Sequence, residues 1–101
     1  MLKKAGVALT LFLLSSCITA PVPVEDYTLA RTAMDAARAI ESARYSAGYW
    51  HQAEEHYRRG KAFLDEREYA DAQEEFVQAR LAAEKAENSA RIIRFKNGEV
   101  L

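Results

Sequence analysis

The chain has 101 residues, 50% of them hydrophobic and 29% charged, with a formal net charge of −1. That length holds one domain. Fifteen acidic side chains against 14 basic ones, with no basic block, exclude a nucleic-acid binder that works by neutralising phosphates. The single cysteine, Cys17, excludes an internal disulfide and any cysteine-based metal cluster.

In chain order, residues 1–16 have the three parts of an export signal. Met1-Leu2-Lys3-Lys4 is a short positive start, and Ala5 to Leu14 is an apolar run. A spanning helix needs about 20 apolar residues, so this run is too short to stay in a bilayer and is expected to be cleaved. It ends in Leu14-Ser15-Ser16-Cys17, which resembles the lipobox of bacterial lipoproteins. The resemblance implies a diacylglyceryl group on the Cys17 sulfur, cleavage before Cys17 and N-acylation of the new terminus. The expected cofactor is none, beyond these covalent acyl chains. Two or three chains hold a protein stably to lipid at about 0.8 kcal/mol per buried methylene. Ile18-Thr19 follows the cysteine where aspartate would favour inner-membrane retention. The expected location is therefore the inner leaflet of the outer membrane, facing the periplasm.

Residues 17–25 read as the lipidated cysteine and an extended tether, because Pro21 and Pro23 disfavour helix at the residues before them. Residues 26–96 read as a helical domain and 97–101 as a tail. Glu25-Asp26 supplies acidic groups for a helix start. Three segments then show 3–4 periodicity. The first, about 26–45, places Leu29, Ala33, Ala36, Ile40 and Ala43 on one face. The second, about 47–65, carries Trp50, Ala53, Tyr57, Gly60 and Leu64, with Ser46 as its N-cap. The third, about 68–95, carries Tyr69, Ala72, Phe76, Ala79, Ala83, Ala86, Ala90 and Ile93. The polar run Asp65-Glu66-Arg67-Glu68 turns the chain between the last two. Connections this short predict an all-α, three-helix antiparallel bundle. Glu54–Arg58, Glu55–Arg59 and Glu87–Arg91 are acid-first pairs at spacing four, which support helix without marking a site.

Residues 53–79 look like a single tetratricopeptide repeat, with Gly60, Ala62, Phe63, Tyr69, Ala72, Phe76 and Ala79 at its small and aromatic packing positions. His56 stands where that repeat prefers Trp and Arg59 where it prefers Leu, and the closing Pro is absent. The fold implied is a tetratricopeptide-like helical hairpin plus an N-terminal helix. The lipobox, the Ala-rich first helix, Tyr45-Ser46 and Glu68-Tyr69-Ala70-Asp71-Ala72 together resemble a family of small Ala-rich helical envelope lipoproteins, domain of unknown function 4398. Some of its members are fused to an OmpA-like peptidoglycan-binding domain. The resemblance implies an envelope protein partner, an OmpA-like peptidoglycan-associated protein being its candidate, and transfers no catalytic residue.

Chemistry is sparse. In His51-Gln52-Ala53-Glu54-Glu55-His56 the two histidines lie five residues apart, about 140° around a helix, so they do not share a metal. Ser46 and Ser89 have no histidine at a local spacing that would activate them. No metal site, catalytic residue or enzyme activity is expected. Tyr49, Trp50 and Tyr57 are the candidate partner contacts, as exposed aromatic anchors; the competing reading, which the 3–4 stripe favours, is that all three are core. The function read from the sequence is a membrane-anchored helical interaction module. The alternative is a spacer whose third helix forms an oligomeric coiled coil between outer membrane and cell wall. Against that alternative, the C-terminal Lys96-Asn97-Gly98-Glu99-Val100-Leu101 does not end in the lysine that joins such spacers to peptidoglycan.

Overall fold

A computed structural model describes residues 20–101. The leader, the lipobox residues Leu14, Ser15 and Ser16, and Cys17 itself lie outside the described residues. The described chain forms four helices: α1 (Val24–Ala39), a single turn α2 (Ser42–Tyr45), α3 (Ala47–Asp65) and α4 (Tyr69–Lys96). At 1.5 Å per residue the 28-residue α4 is about 42 Å long, and it is the spine. α3 runs back along it, and α1 runs parallel to it, Asp26 meeting Gln73 near the start of both helices and Ile40 meeting Arg94 near their ends. The result is an up-down-up, all-α bundle in which α1 and α3 each pack on α4 far more than on one another.

α1 begins two residues before the sequence pattern suggests. Pro23 occupies the N-cap, its carbonyl accepts from the Tyr27 amide at 3.0 Å, and Val24 and Glu25 of the expected tether are helical. A proline restricts the residue before it, so helix is free to start directly after Pro23.

The continuous helix expected over 26–45 is broken. Glu41 adopts a left-handed backbone (φ 61°), and the chain bends there into α2. Arg94 of α4 closes the break from outside, its Nη1 donating to the Ile40 carbonyl at 3.1 Å. That carbonyl is one of the orphans at the end of α1, so a residue 54 positions away supplies the missing donor. Ser42 is fully buried beside the break, with its hydroxyl unpartnered among the described residues.

The α1 face is also shifted by one residue. Ala30, Met34 and Ala37 are buried, whereas Leu29, expected in the seam, is 44% exposed. Ile40 is buried as expected, and Ala43 is exposed. Both lines have helical spacing. The buried one wins because it carries Tyr27 and Met34, which reach larger aromatic partners than Leu29 would. In α3 the expected Trp50, Ala53 and Gly60 are buried, and so are Ala72, Phe76, Ala79, Ala83, Ala86 and Ala90 in α4. Ile93, at the end of that line, stays exposed. Ala62, one of the repeat-like packing positions, is exposed too. Ser46 stands at the N-cap of α3, but only its carbonyl serves, accepting from the Trp50 amide at 3.0 Å; its side chain makes no cap bond.

The core has two parts. Near the α3–α4 turn, Ala30, Ala72, Phe76 and Ala79 are packed by Tyr27, Tyr57, Phe63 and Leu64. Toward the other end, Met34, Ala37, Trp50, Ala53, Ala82, Ala83 and Ala86 form a second cluster, again touched by Tyr57. Gly60 is required for the first. A Cβ built on it would lie 2.7 and 2.8 Å from two carbons of the fully buried Phe76 ring. Alanine would gain about 1 kcal/mol of helix propensity there, but overpacking a core typically costs about 1–3 kcal/mol. Gly60→Ala is expected to lower stability by up to about 2 kcal/mol on a urea titration of soluble protein.

The turn after α3 is a Schellman motif: Glu68 N donates to Phe63 O at 2.9 Å and Arg67 N to Leu64 O at 3.0 Å. Its left-handed position holds Arg67 (φ 61°), where glycine carries no Cβ penalty. Arg67→Gly is therefore expected to raise the urea midpoint, by up to about 1 kcal/mol of stability.

Candidate functional site

Because α1 and α3 rest mainly on α4, a groove stays open between them. It encloses a cavity of 220 Å³ lined by Arg31, Met34, Asp35, Arg38, Trp50, Glu54 and Tyr57. Met34 and Trp50 make an apolar floor, and the rim carries both signs of charge. The Arg38 guanidinium sits 5.5 Å above the Trp50 ring while its Nη1 bonds Asp35 Oδ1 at 2.8 Å. Arg31 lies 5.9 Å over the Tyr27 ring. The arrangement has an apolar slot with polar groups around it, which suits a peptide segment better than a small charged metabolite.

Below the groove is an aromatic cluster. The Phe76 ring lies 5.2 Å from Tyr27, edge-on, and 5.9 Å from Tyr57, and the two tyrosine rings stack at 6.0 Å. Burial pushes the Tyr57 phenol up to about 12, while the adjoining Tyr57 hydroxyl favours the Tyr27 phenolate and pulls that pKa down. A raised acid pKa means the folded state prefers the neutral phenol. The contribution of Tyr57 is thus intact below pH 10 and is lost as pH climbs from 10 toward about 12. Following tyrosinate absorbance against pH is expected to show a late step in that window, absent from Tyr57→Phe.

The three candidate contact residues do not form one surface. Trp50 is buried at the groove floor and Tyr57 is half-buried beside it. Tyr49 is 43% exposed and lines a separate groove of 410 Å³ between α3 and α4, with Lys85, Asn88, Ser89, Ile92 and Ile93. Helical rotation of about 100° per residue separates neighbours in this way. The groove residues absent from the sequence reading are Arg31, Met34, Asp35 and Arg38; the alternative 3–4 line through Ala30, Met34 and Ala37 signals Met34, and the other three follow from its flanks.

His56 is not a free surface residue. Its Nδ1 lies 2.7 Å from Glu75 Oε2, joining α3 to α4 where both side chains are largely covered. His51 stays exposed, with Nδ1 3.8 Å from Glu54. Glu55 and Glu87 pair with Arg59 (3.1 Å) and Arg91 (2.9 Å), while Arg58 turns to Glu55 instead of Glu54. Arg94 donates from Nε to Glu99 at 2.9 Å, which holds its guanidinium above its ordinary pKa. Among the described residues no three His, Cys, Asp or Glu side chains converge as a metal site. No helix among them is long and apolar enough to cross a membrane. Compared with known proteins, the chain matches no family model, no curated protein and no solved structure.

Proposed function

We propose that this protein is a non-enzymatic lipoprotein of the bacterial envelope. Acyl chains on Cys17 tie it to the inner leaflet of the outer membrane, and the bundle faces the periplasm as a docking module for another envelope protein. The observation that carries the docking role is the open groove between α1 and α3, with its Met34–Trp50 floor and its rim of Arg31, Asp35, Arg38 and Glu54. An OmpA-like peptidoglycan-associated protein is the partner class proposed. Nucleic acid is not, given the acidic balance of the chain.

The test places a photo-crosslinking residue at Arg31 or Arg38, on the groove rim, and at Arg58, an exposed position on α3 outside the groove. Irradiation of intact cells is expected to link both groove positions, and not position 58, to the same envelope protein. Adducts that do not depend on position overturn the docking role. Sedimentation of residues 24–101 tests the spacer alternative, since a stable trimer would replace the module with a coiled coil.

A further inference from the structure

α4 has a second apolar line that its own bundle leaves uncovered. Opposite the buried alanines lie the half-buried Val77 and the exposed Leu81, Ile92 and Phe95, with Asn88 on the same line and Glu84 and Lys85 in the seven-residue step between Leu81 and Asn88. Leu81 is 38% exposed, Ile92 56% and Phe95 77%. At about 100° per residue, Glu74 and Ile92 lie on one line along the helix, and Leu81 and Lys85 lie within about 20° of it. Charge is ordered along this face: Glu74 near the start of α4, Glu84 and Lys85 at the middle, Lys96 at the end.

We propose that this face pairs with the same face of a second copy, the two α4 helices running antiparallel about a two-fold axis between Glu84 and Lys85. In that register Val77 meets Ile92 of the second copy, Leu81 meets its Asn88, Glu84 meets its Lys85, and Glu74 reaches its Lys96. Each contact occurs twice, as an isologous interface requires. A parallel pair would set Glu74 against Glu74 and Lys85 against Lys85, which is repulsive, and would also align two helix dipoles of about 28 residues each. Charge complementarity therefore selects the antiparallel second copy over a parallel coiled coil. A lipid surface fits less well, because Glu74 and Glu84 on this face balance Lys85 and Lys96 and leave no net charge to draw it onto an anionic bilayer.

The stripe from Val77 to Phe95 is about 27 Å long and one helix wide. That is smaller than the ~800 Å² per partner of a standard stable interface. Pairing is accordingly weak in dilute solution and strengthened by confinement. The pairing itself stands on the face alone; only its strength in cells rests on the proposed anchor.

Differently tagged Val77→Cys and Ile92→Cys full-length chains, co-expressed and oxidised in isolated membranes, test this. The expected product is the mixed disulfide, well in excess of either homodimer, with no dimer from the parent chain, whose one cysteine is Cys17. Lys85→Glu is expected to cut the mixed product about tenfold, and the swap Glu84→Lys with Lys85→Glu to restore it at unchanged helicity. An excess of homodimers, which marks a parallel pair, overturns the proposal. So does the lack of any link in membranes that hold both chains, the outcome if lipid or another protein covers the face. Should the chains not sediment with membranes, the anchor fails separately, and the same oxidation on concentrated soluble protein decides the pairing.

Discussion

Phe76→Ala leaves the bundle without a cooperative transition, or with a melting temperature lower by about 15 °C or more. The ring is fully buried and is the largest side chain that is. It touches Gly60 and the Tyr27 and Tyr57 rings, so it joins all three long helices at one point. Truncating a buried phenylalanine costs about 3–5 kcal/mol, including the cavity left behind. Its fully buried neighbours Ala30, Ala72 and Ala79 have no length with which to fill that space. A domain of this size has a total stability of only about 4–12 kcal/mol, and a small core places it in the lower part of that span. Thermal melting followed by circular dichroism checks the outcome; a change of only a few degrees would mean that the ring is not the junction. A double-mutant cycle adds a sharper reading. In a Phe76→Leu background the edge that opposes a Cβ at position 60 is gone, so Gly60→Ala should cost less than it does alone.

On the anchor proposed above, Cys17→Ser is expected to move the protein from the membrane pellet to the soluble fraction, or to stall it as unprocessed precursor. Serine keeps the size of the side chain but removes the thiol that attacks the lipid donor, so neither acylation nor lipoprotein-type cleavage follows. The effect is close to all-or-none, because each buried methylene contributes about 0.8 kcal/mol and a second long chain turns marginal binding into stable anchoring. Fractionation with labelled palmitate reads both parts: wild-type protein carries label and resists a salt wash, and the variant carries none. Processed Cys17→Ser protein that still pellets with membranes would remove the basis for an anchored module.

The helical class and the long α3–α4 hairpin were legible because alanine-rich 3–4 spacing persists over four turns or more and no proline interrupts it after Pro23. What was not legible depends on distant partners. The face of α1 is ambiguous in sequence, since Leu29-Ala33-Ala36 and Ala30-Met34-Ala37 both fit; the fit of Tyr27 against Phe76, nearly fifty residues on, decides between them. The break at Glu41 carries no glycine to announce it, and Arg94 is what makes a left-handed glutamate tolerable there. Nothing in the sequence around His56 marks its role, because its partner, Glu75, is 19 residues away on the next helix. Tyr49, Trp50 and Tyr57 were recognised as notable aromatics, but only the packed helices show that Tyr49 belongs to a different groove. The outer line of α4 was overshadowed by the stronger alanine line behind it.

All four helices begin without a side-chain cap, and α1 is the one reached first from the N-terminal side. Its grip on the rest is slight where alanines meet alanines, and firm at Tyr27 and Met34. Traction applied at Val24 would therefore run along α1 as a shear, taken up first by the exposed Gln73–Asp26 hydrogen bond at 3.0 Å, with the Tyr27–Phe76 contact as the first buried latch and Arg94 on Ile40 as the last. Once both let go, α1 unwinds as a spring of 16 residues, lengthening the leash by about 30 Å as it passes from 1.5 to about 3.4 Å per residue. The α3–α4 hairpin would then keep only the contacts it makes within itself, with the Phe76 edge bared where the Tyr27 ring had stood.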